Sequence, residues 1–345
     1  MKNEYTIKKN LPKIRLILTS NVKKALKLVD KYANHDFISD IPLYINLFFY
    51  KEKQIDLSKF IEEKLDNIDY NYKTYDMKSY WYDKCRVIKW NYKTNIITIY
   101  VDYKTNIIEF FIKKYTKSVM NFIESYIEIC VAHFLRINNL IPIHGSAFVI
   151  KDKCYTLIGK SGVGKSTTLL QFLDVGGILI ANDFFVIDYE NKKVYTLDKT
   201  IAVRKSKILK KLSIMKNFNK KSLLFNSVQK YYDAQMIFNN FIKCYDIDAI
   251  TFIEIIDEDK IKIRKLNELE SLIYWNNTKI KYPFIIENPI DNYYMFKKIY
   301  KSFAFFTIGI PNFKNKKIRK GEKNFTLEEF LECNNEFNSI NNRKL

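Results

Sequence analysis

The chain has 345 residues, of which 47% are apolar and 16% aromatic, and 58 Lys and Arg outnumber 38 Asp and Glu for a formal charge of +20. That length and apolar content exclude a disordered chain and allow one large domain or two ordinary ones. The charge raises nucleic acid or an anionic membrane as a partner, but lysine is spread along the whole chain among abundant Asn, Ile and Tyr, as in an A/T-biased coding sequence, which argues against both.

The N-terminus, Met1-Lys2-Asn3-Glu4-Tyr5, lacks the apolar core of a signal peptide. Windows such as Ile41–Tyr50 are too short to span a bilayer. A soluble, cytoplasmic protein is expected. Val22 to Tyr32 has the apolar spacing of a short amphipathic helix, and Ile41 to Phe49 is a β-branched and aromatic run suited to a buried strand. Tyr92-Lys93-Thr94-Asn95-Ile96-Ile97 recurs as Tyr103-Lys104-Thr105-Asn106-Ile107-Ile108. With Lys-Thr-Asn as turns, this predicts an antiparallel meander over Arg86–Tyr92, Ile96–Asp102 and Ile107–Lys113. Ser118 to Asn138 follows as a long helix with Val119, Phe122, Ile123, Tyr126, Ile127, Cys130 and Phe134 on one side. Its His133 reads as a structural histidine rather than a ligand. Residues 1–140 thus form an α+β region without recognisable chemistry, expected to recognise an acceptor or to mediate association, homo-oligomers included.

From Ile141 the rhythm changes. Ser146–Ile150 and Cys154–Ile158 read as strands joined by the tight turn Lys151-Asp152-Lys153, and the second enters a glycine-rich loop. Six of the eight glycines fall between Gly145 and Gly177, although glycine is costly wherever the backbone does not need it. Ser166–Asp174 is predicted as a helix stopped by Gly176 and Gly177. Ile178–Ala181 then forms a short buried strand ending at Asn182-Asp183, followed by a hairpin over Phe184–Tyr189 and Lys193–Leu197. Further on, Ala249–Ile256 and Ile261–Leu266 flank the turn Asp257–Lys260, and Leu269–Trp275 begins a helix. Beyond residue 313 lies a polar tail with a short helix near Leu327–Leu331. Its Lys314, Lys316, Lys317, Arg319 and Lys320 form either a docking patch or a solvated loop. Five cysteines (Cys85, Cys130, Cys154, Cys244, Cys333) lie far apart without CxxC spacing, so no metal site or disulfide framework follows.

Gly159-Lys160-Ser161-Gly162-Val163-Gly164-Lys165-Ser166 matches the phosphate-binding pattern GxxxxGK[ST] in full. Gly162 and Gly164 let backbone N–H groups approach phosphate oxygens. Lys165 brings a positive charge to the β- and γ-phosphates, and Ser166 offers a hydroxyl to Mg²⁺. Thr167 continues the nucleotide-contacting stretch into the helix, whose positive end faces the same anion. Asp183 follows Lys165 by only eighteen positions. One brief helix therefore links the strand before the loop to the strand ending at Asp183, as close neighbours in a βαβ-like unit. The hairpin before the loop demands antiparallel pairing, so a mixed sheet is expected. Asp183 is placed to hold Mg²⁺ directly or through water.

His144-Gly145-Ser146-Ala147, the strand pair, the loop and Ile178-Leu179-Ile180-Ala181-Asn182-Asp183, in that order, resemble the catalytic core of HPr kinase/phosphorylase. That core is similar in fold to phosphoenolpyruvate carboxykinase. The resemblance is strong over roughly 141–187 and implies a mixed-sheet α/β P-loop kinase core at 141–313, with ATP and Mg²⁺ as cofactors. It also implies transfer of phosphate to a serine hydroxyl of a protein or peptide. Where the family has two consecutive aspartates, the first taking the serine proton, this chain has Asn182-Asp183. An amide cannot accept that proton. Asn182 is left to orient the hydroxyl or a metal-bound water, with Asp183 or His144 as base. The Asn-Asp pair resembles a divergent branch associated with peptide modification, and the family's phosphorolysis segment has no match. The resemblance places His144 at the active site as base, phosphate ligand or orienter; the alternative is a histidine that caps a strand start. Arg204 either reaches the transferred phosphate or lies on the surface. Two other functions stay open: a kinase of a small hydroxylated metabolite, and a nucleotide-binding regulatory module that has lost catalysis.

Overall fold

The computed structural model describes residues 4–36, 41–51, 53–63, 76–92, 95–160, 162–204, 212–219, 224–225, 229–247, 249–258, 262–278 and 289–311. Ser161, the basic stretch from Lys314 and the tail with its short helix lie outside them. The described residues fall into two compact units that divide between Asn138 and Asn139.

In the first unit the strands are β1 (Tyr5–Leu11), β2 (Ile14–Ser20), β3 (Ile41–Phe49), β4 (Ile61–Glu63), β5 (Asp76–Tyr82), β6 (Cys85–Tyr92), β7 (Asn95–Asp102) and β8 (Ile107–Ile112). Among the described residues they make one sheet in the order β1-β2-β3-β8-β7-β6-β5-β4. The meander β6–β7–β8 is antiparallel as the repeat predicts, whereas β2, β3 and β8 run parallel. In β3, Leu43, Ile45, Leu47 and Phe49 alternate into the core, the period of a half-buried strand. The helix expected over Val22–Tyr32 is only a 3-10 stretch, Lys23–Val29, because Val22 offers no capping side chain to its first turn. Helix α1 (Lys117–Ile137) is capped by the Thr116 hydroxyl, which accepts from the Val119 N–H at 3.3 Å. It buries Ile123, Tyr126, Ile127, Cys130 and Phe134 and lays Phe122 on Trp90, their ring centroids 3.7 Å apart. Burial pushes the Cys130 thiol well up from its ordinary range. His133 packs edge-on against Tyr103 at 5.1 Å.

The second unit continues with β9 (Leu140–Ile150), β10 (Lys153–Ile158), α2 (Lys165–Asp174), β11 (Ile178–Ala181), β12 (Phe184–Asp188), β13 (Lys193–Thr196), β14 (Thr200–Arg204), β15 (Leu224–Phe225), β16 (Gln229–Asp233), α3 (Ala234–Ile237), β17 (Cys244–Asp246), β18 (Ala249–Ile256), β19 (Lys262–Lys265), α4 (Glu268–Thr278), α5 (Pro289–Ser302) and β20 (Ala304–Pro311). The main sheet has the order β17-β13-β12-β9-β10-β18-β20-β19, with β11 also paired to β9; β14, β16 and β15 form a small separate sheet. Strands β10, β18 and β20 are mutually parallel and the rest antiparallel. The fold is thus mixed α/β, and the mixed sheet matches expectation.

β18 and β19, consecutive in the chain, are not neighbours in the sheet, because β20 inserts between them. Its sequence Ala304-Phe305-Phe306-Thr307-Ile308-Gly309-Ile310 is buried almost without break, as a strand covered on both faces must be. Nor are β10 and β11 direct neighbours: both pair antiparallel with β9, which lies between them.

Each face of this sheet has its own core. On one, Phe148, Tyr155, Leu157 and Ile253 meet Leu169, Phe172 and Leu173 of α2, together with Ile201, Tyr232 and Ile237 from the small sheet and α3. Phe172 stacks on Phe148 with centroids 4.6 Å apart. On the other, Ile143, Ile158, Phe185, Phe252 and Phe305 meet Trp275 of α4 and Phe296 and Ile299 of α5. At about 1.5–3 kcal/mol per fully buried large apolar side chain, these two layers hold β9, β10 and β18 rigidly beneath the loop.

Candidate functional site at the carboxyl end of β10

Lys151 and Asp152 both have positive φ (47° and 60°) and form the two-residue turn that sets β10 against β9 with Ile158 opposite Gly145. The chain then leaves the sheet at Gly159. A Cβ there would lie 2.9 Å from the Ile253 carbonyl oxygen, 2.8 Å from the Ile253 Cγ2 and 3.0 Å from the Val163 Cγ1, so only glycine lets the loop root sit this close to β18. Gly162 and Gly164 have φ of +83° and +102°, and an added Cβ at either would meet nothing within 4 Å. Here the requirement is conformational, and the space beside the loop is open.

Gly164 is also the N-cap of α2, so no side chain caps this helix. The first N–H groups of an α-helix lack intrahelical partners and carry its positive end. Lys165 is buried, and its ammonium donates to the carbonyls of Gly159 at 2.8 Å and Lys160 at 3.2 Å, which folds the side chain over the loop. Ser166 and Thr167 are half-buried in the first turn, and Lys160 is exposed. At its far end α2 closes with the Gly176 N–H donating to the Leu173 carbonyl and the Gly177 N–H to the Phe172 carbonyl. That stop returns the chain into β11.

Strands β11 and β12 run along one edge of β9 almost as a single strand, broken at Asn182-Asp183. The break is pinned on both residues: the Ser146 hydroxyl donates to the Asn182 carbonyl at 2.5 Å, and the Gly145 N–H donates to the Asp183 carbonyl at 3.1 Å. Ile158, Gly145 and Asp183 therefore lie level across three strands, roughly 10 Å from first to last at about 4.8 Å per spacing. His144 stands opposite Phe184, one residue further along. It lies within β9, not before it as the sequence implied, and its side chain is exposed. Asp183 is half-buried.

Asn182 differs from its neighbours. The residue is 1% exposed, and among the described residues neither its side-chain oxygen nor its side-chain nitrogen has a hydrogen-bond partner. A buried polar group left unsatisfied costs about 1–3 kcal/mol, so such groups are rare without a reason.

The sequence-predicted residues thus separate. The loop, Lys165, Ser166, Thr167, His144, Asn182 and Asp183 come together at one end of one sheet. Arg204 ends β14 in the small sheet, opposite Gln229 in the backbone register, and its side chain is not among those described. Sequence reasoning named Ser146 only within a motif and did not single out Ile253; these two fix the strand break and the loop root from inside apolar strands. It also missed the turn after β13, where the N–H groups of Leu197 and Asp198 reach the Phe184 carbonyl. Beside that turn, Lys199 pairs with Asp233 at 2.6 Å, a contact 34 positions apart that no local pattern announces. Among the described residues no group of three or more His, Cys, Asp or Glu could hold a metal, and no helix is long and apolar enough to cross a membrane.

No protein-family profile matches the chain, and no curated protein matches it. Among solved structures, the HPr(Ser) kinase/phosphatase from Coxiella burnetii is similar over 50% of this chain and 87% of that one, at 12% identity and a TM-score of 0.27. At that score the similarity supports no functional conclusion.

Proposed function

We propose that the second unit is an ATP- and Mg²⁺-dependent phosphotransferase that phosphorylates a serine hydroxyl of a protein or peptide. The observation that carries the reading is the buried, unpartnered carboxamide of Asn182, level with a glycine loop and an uncapped helix N-terminus. Open space beside Gly162 and Gly164 suits phosphate oxygens, and the Lys165 ammonium is near enough to trade loop carbonyls for them. Ser166 and Asp183 would hold Mg²⁺, with phosphate and water oxygens completing its shell, which is how this ion is usually bound. When bound, the ion neutralises charge on the β- and γ-phosphates.

The chain's own residues do the rest. Asn182 offers an acceptor oxygen and an NH₂ donor, the complement of an alcohol, and would hold the hydroxyl in line with the γ-phosphorus once entry of the acceptor uncovers this buried side chain. The hydroxyl oxygen forms its bond to phosphorus as the bond to the β,γ-bridging oxygen breaks, and ADP leaves with that electron pair. The hydroxyl proton passes to Asp183 or His144. Arg204 is proposed as a further phosphate contact and the first unit as the acceptor-recognition or association module. Incubation with γ-labelled ATP and the small proteins of the cell tests this. Phosphoserine should form with the wild-type chain and not with Lys165→Ala, and absence of label above that control refutes it. Label in a small metabolite would redirect the acceptor.

Asn182 also favours a second reading, a nucleotide-binding regulatory module, because an amide cannot take the proton. Calorimetric binding of ATP without turnover on any acceptor would select it.

A further inference from the structure

The first unit holds an arginine that no acid answers among the described residues. On β2, Ile14, Leu16 and Leu18 point inward and are fully buried, while Arg15, Ile17 and Thr19 alternate onto the other face and are half-buried. Arg15 stands between Asn10 of β1 and Pro42 of β3, and in the next row of the same face Lys8 and Tyr44 flank Ile17. The Arg15 Nε is buried without a hydrogen-bond partner, and among the described residues no carboxylate pairs with Arg15 or Lys8. A buried donor on a cation is costly to leave without an acceptor, and the acceptors that suit a guanidinium are carboxylates and phosphates.

Beside this arginine runs a sheet edge. Strand β1 pairs only with β2 among the described residues. Asn10 turns both backbone groups away from β2: its N–H donates to the Asn34 Oδ1 at 2.8 Å, and its carbonyl accepts from the His35 N–H at 2.9 Å. With a period of two, Thr6 and Lys8 turn theirs outward as well, and no described residue meets them. The edge is thus closed at Asn10 and open over Thr6–Lys8, where an extended chain can add as a further strand.

Charge decides which chain fits. We propose that the β1 edge takes an extended acidic segment of a partner protein as an added strand, its glutamate side chains bound by Arg15 and Lys8. An added strand lies about 9.6 Å from β2, two strand spacings. Glutamate and arginine side chains close that gap by meeting above Asn10, and Lys8 stands directly beside the added strand. The planar guanidinium then holds a carboxylate through two parallel hydrogen bonds. A second copy of the chain fits worse, because its own β1 would bring Lys8 and Lys9 against the same lysines. The edge lies wholly in the first unit, so a failure of phosphate transfer in the second leaves it untouched.

Fluorescence anisotropy with a labelled nonapeptide alternating valine and glutamate, on the full chain, tests this. The peptide should bind wild type about tenfold or more tightly than a counterpart with lysine in place of glutamate. Arg15→Leu removes the guanidinium and keeps most of the side chain's bulk, so affinity should fall about tenfold. Thr6→Pro removes an outward N–H without breaking a β1–β2 bond and should weaken binding as much. Circular dichroism on both variants checks that the sheet is intact. The site is overturned if the acidic peptide does not bind wild type, binds it no better than the lysine peptide, or keeps its affinity for folded Arg15→Leu or Thr6→Pro. Self-association of wild type that Thr6→Pro abolishes would also overturn it, since a second copy would then be the occupant.

Discussion

Replacing Asn182 by valine separates what this side chain does for the fold from the role in phosphoryl transfer proposed for it. In the folded chain Asn182 is 1% exposed and, among the described residues, both polar atoms of its carboxamide are unpaired, a burden of about 1–3 kcal/mol relative to an unfolded chain in which water satisfies them. Valine removes both atoms, adds little volume and suits the break between two strands. Asn182 is absent from the positive-φ residues, so the backbone accepts the change. A modest overpacking term offsets part of the gain. The nucleotide-free variant should therefore be more stable by about 1–2 kcal/mol, or roughly 3–6 °C in melting temperature for a unit of this size. Phosphoryl transfer should be lost. Urea unfolding without nucleotide, beside a transfer assay, measures both. A loss of stability of similar size would refute the reasoning, since the amide would then have a partner that holds the fold.

The loop glycines should divide in the same way. Gly164→Ala places a Cβ in open space at φ +102°, costing about 1–2 kcal/mol of backbone strain but abolishing nucleotide binding, whereas Gly159→Ala drives a Cβ into β18 and should destabilise by about 2–3 kcal/mol; urea melts and calorimetry on both check this. Asn182→Asp restores a group that can accept a proton, so the turnover number should rise about tenfold or more with little change in ATP affinity, read by steady-state kinetics. Asp233→Ala removes the partner of Lys199 and the side chain that accepts from the Gln235 N–H at the start of α3; urea denaturation should show a loss of about 2–3 kcal/mol.

The parts of this structure written in local sequence were legible. Glycine, hydroxyl and apolar spacing placed the loop, α2, the β9–β10 turn and the strand ending at Asn182-Asp183 nearly to the residue. The α1 stripe did the same. What escaped is long-range. Nothing local says that β9 lies between β10 and β11, or that β20, some fifty positions on, pairs beside β18. Parallel pairing leaves no turn signature, so nothing local announces that β2, β3 and β8 lie side by side. The site shows the same division. The residue types of the candidate site were visible, but the burial of Asn182 without a side-chain partner among the described residues comes from strands far apart in the sequence.

The most direct measurement is a crystal structure of the chain with Mg²⁺ and a non-hydrolysable ATP analogue. The terminal phosphoryl group should lie beside Asn182 and Asp183, with Lys165 turned from the loop carbonyls to the phosphates. A nucleotide seated elsewhere, or one whose terminal phosphoryl faces away from Asn182, would contradict the assignment of this loop and strand break as one transfer site.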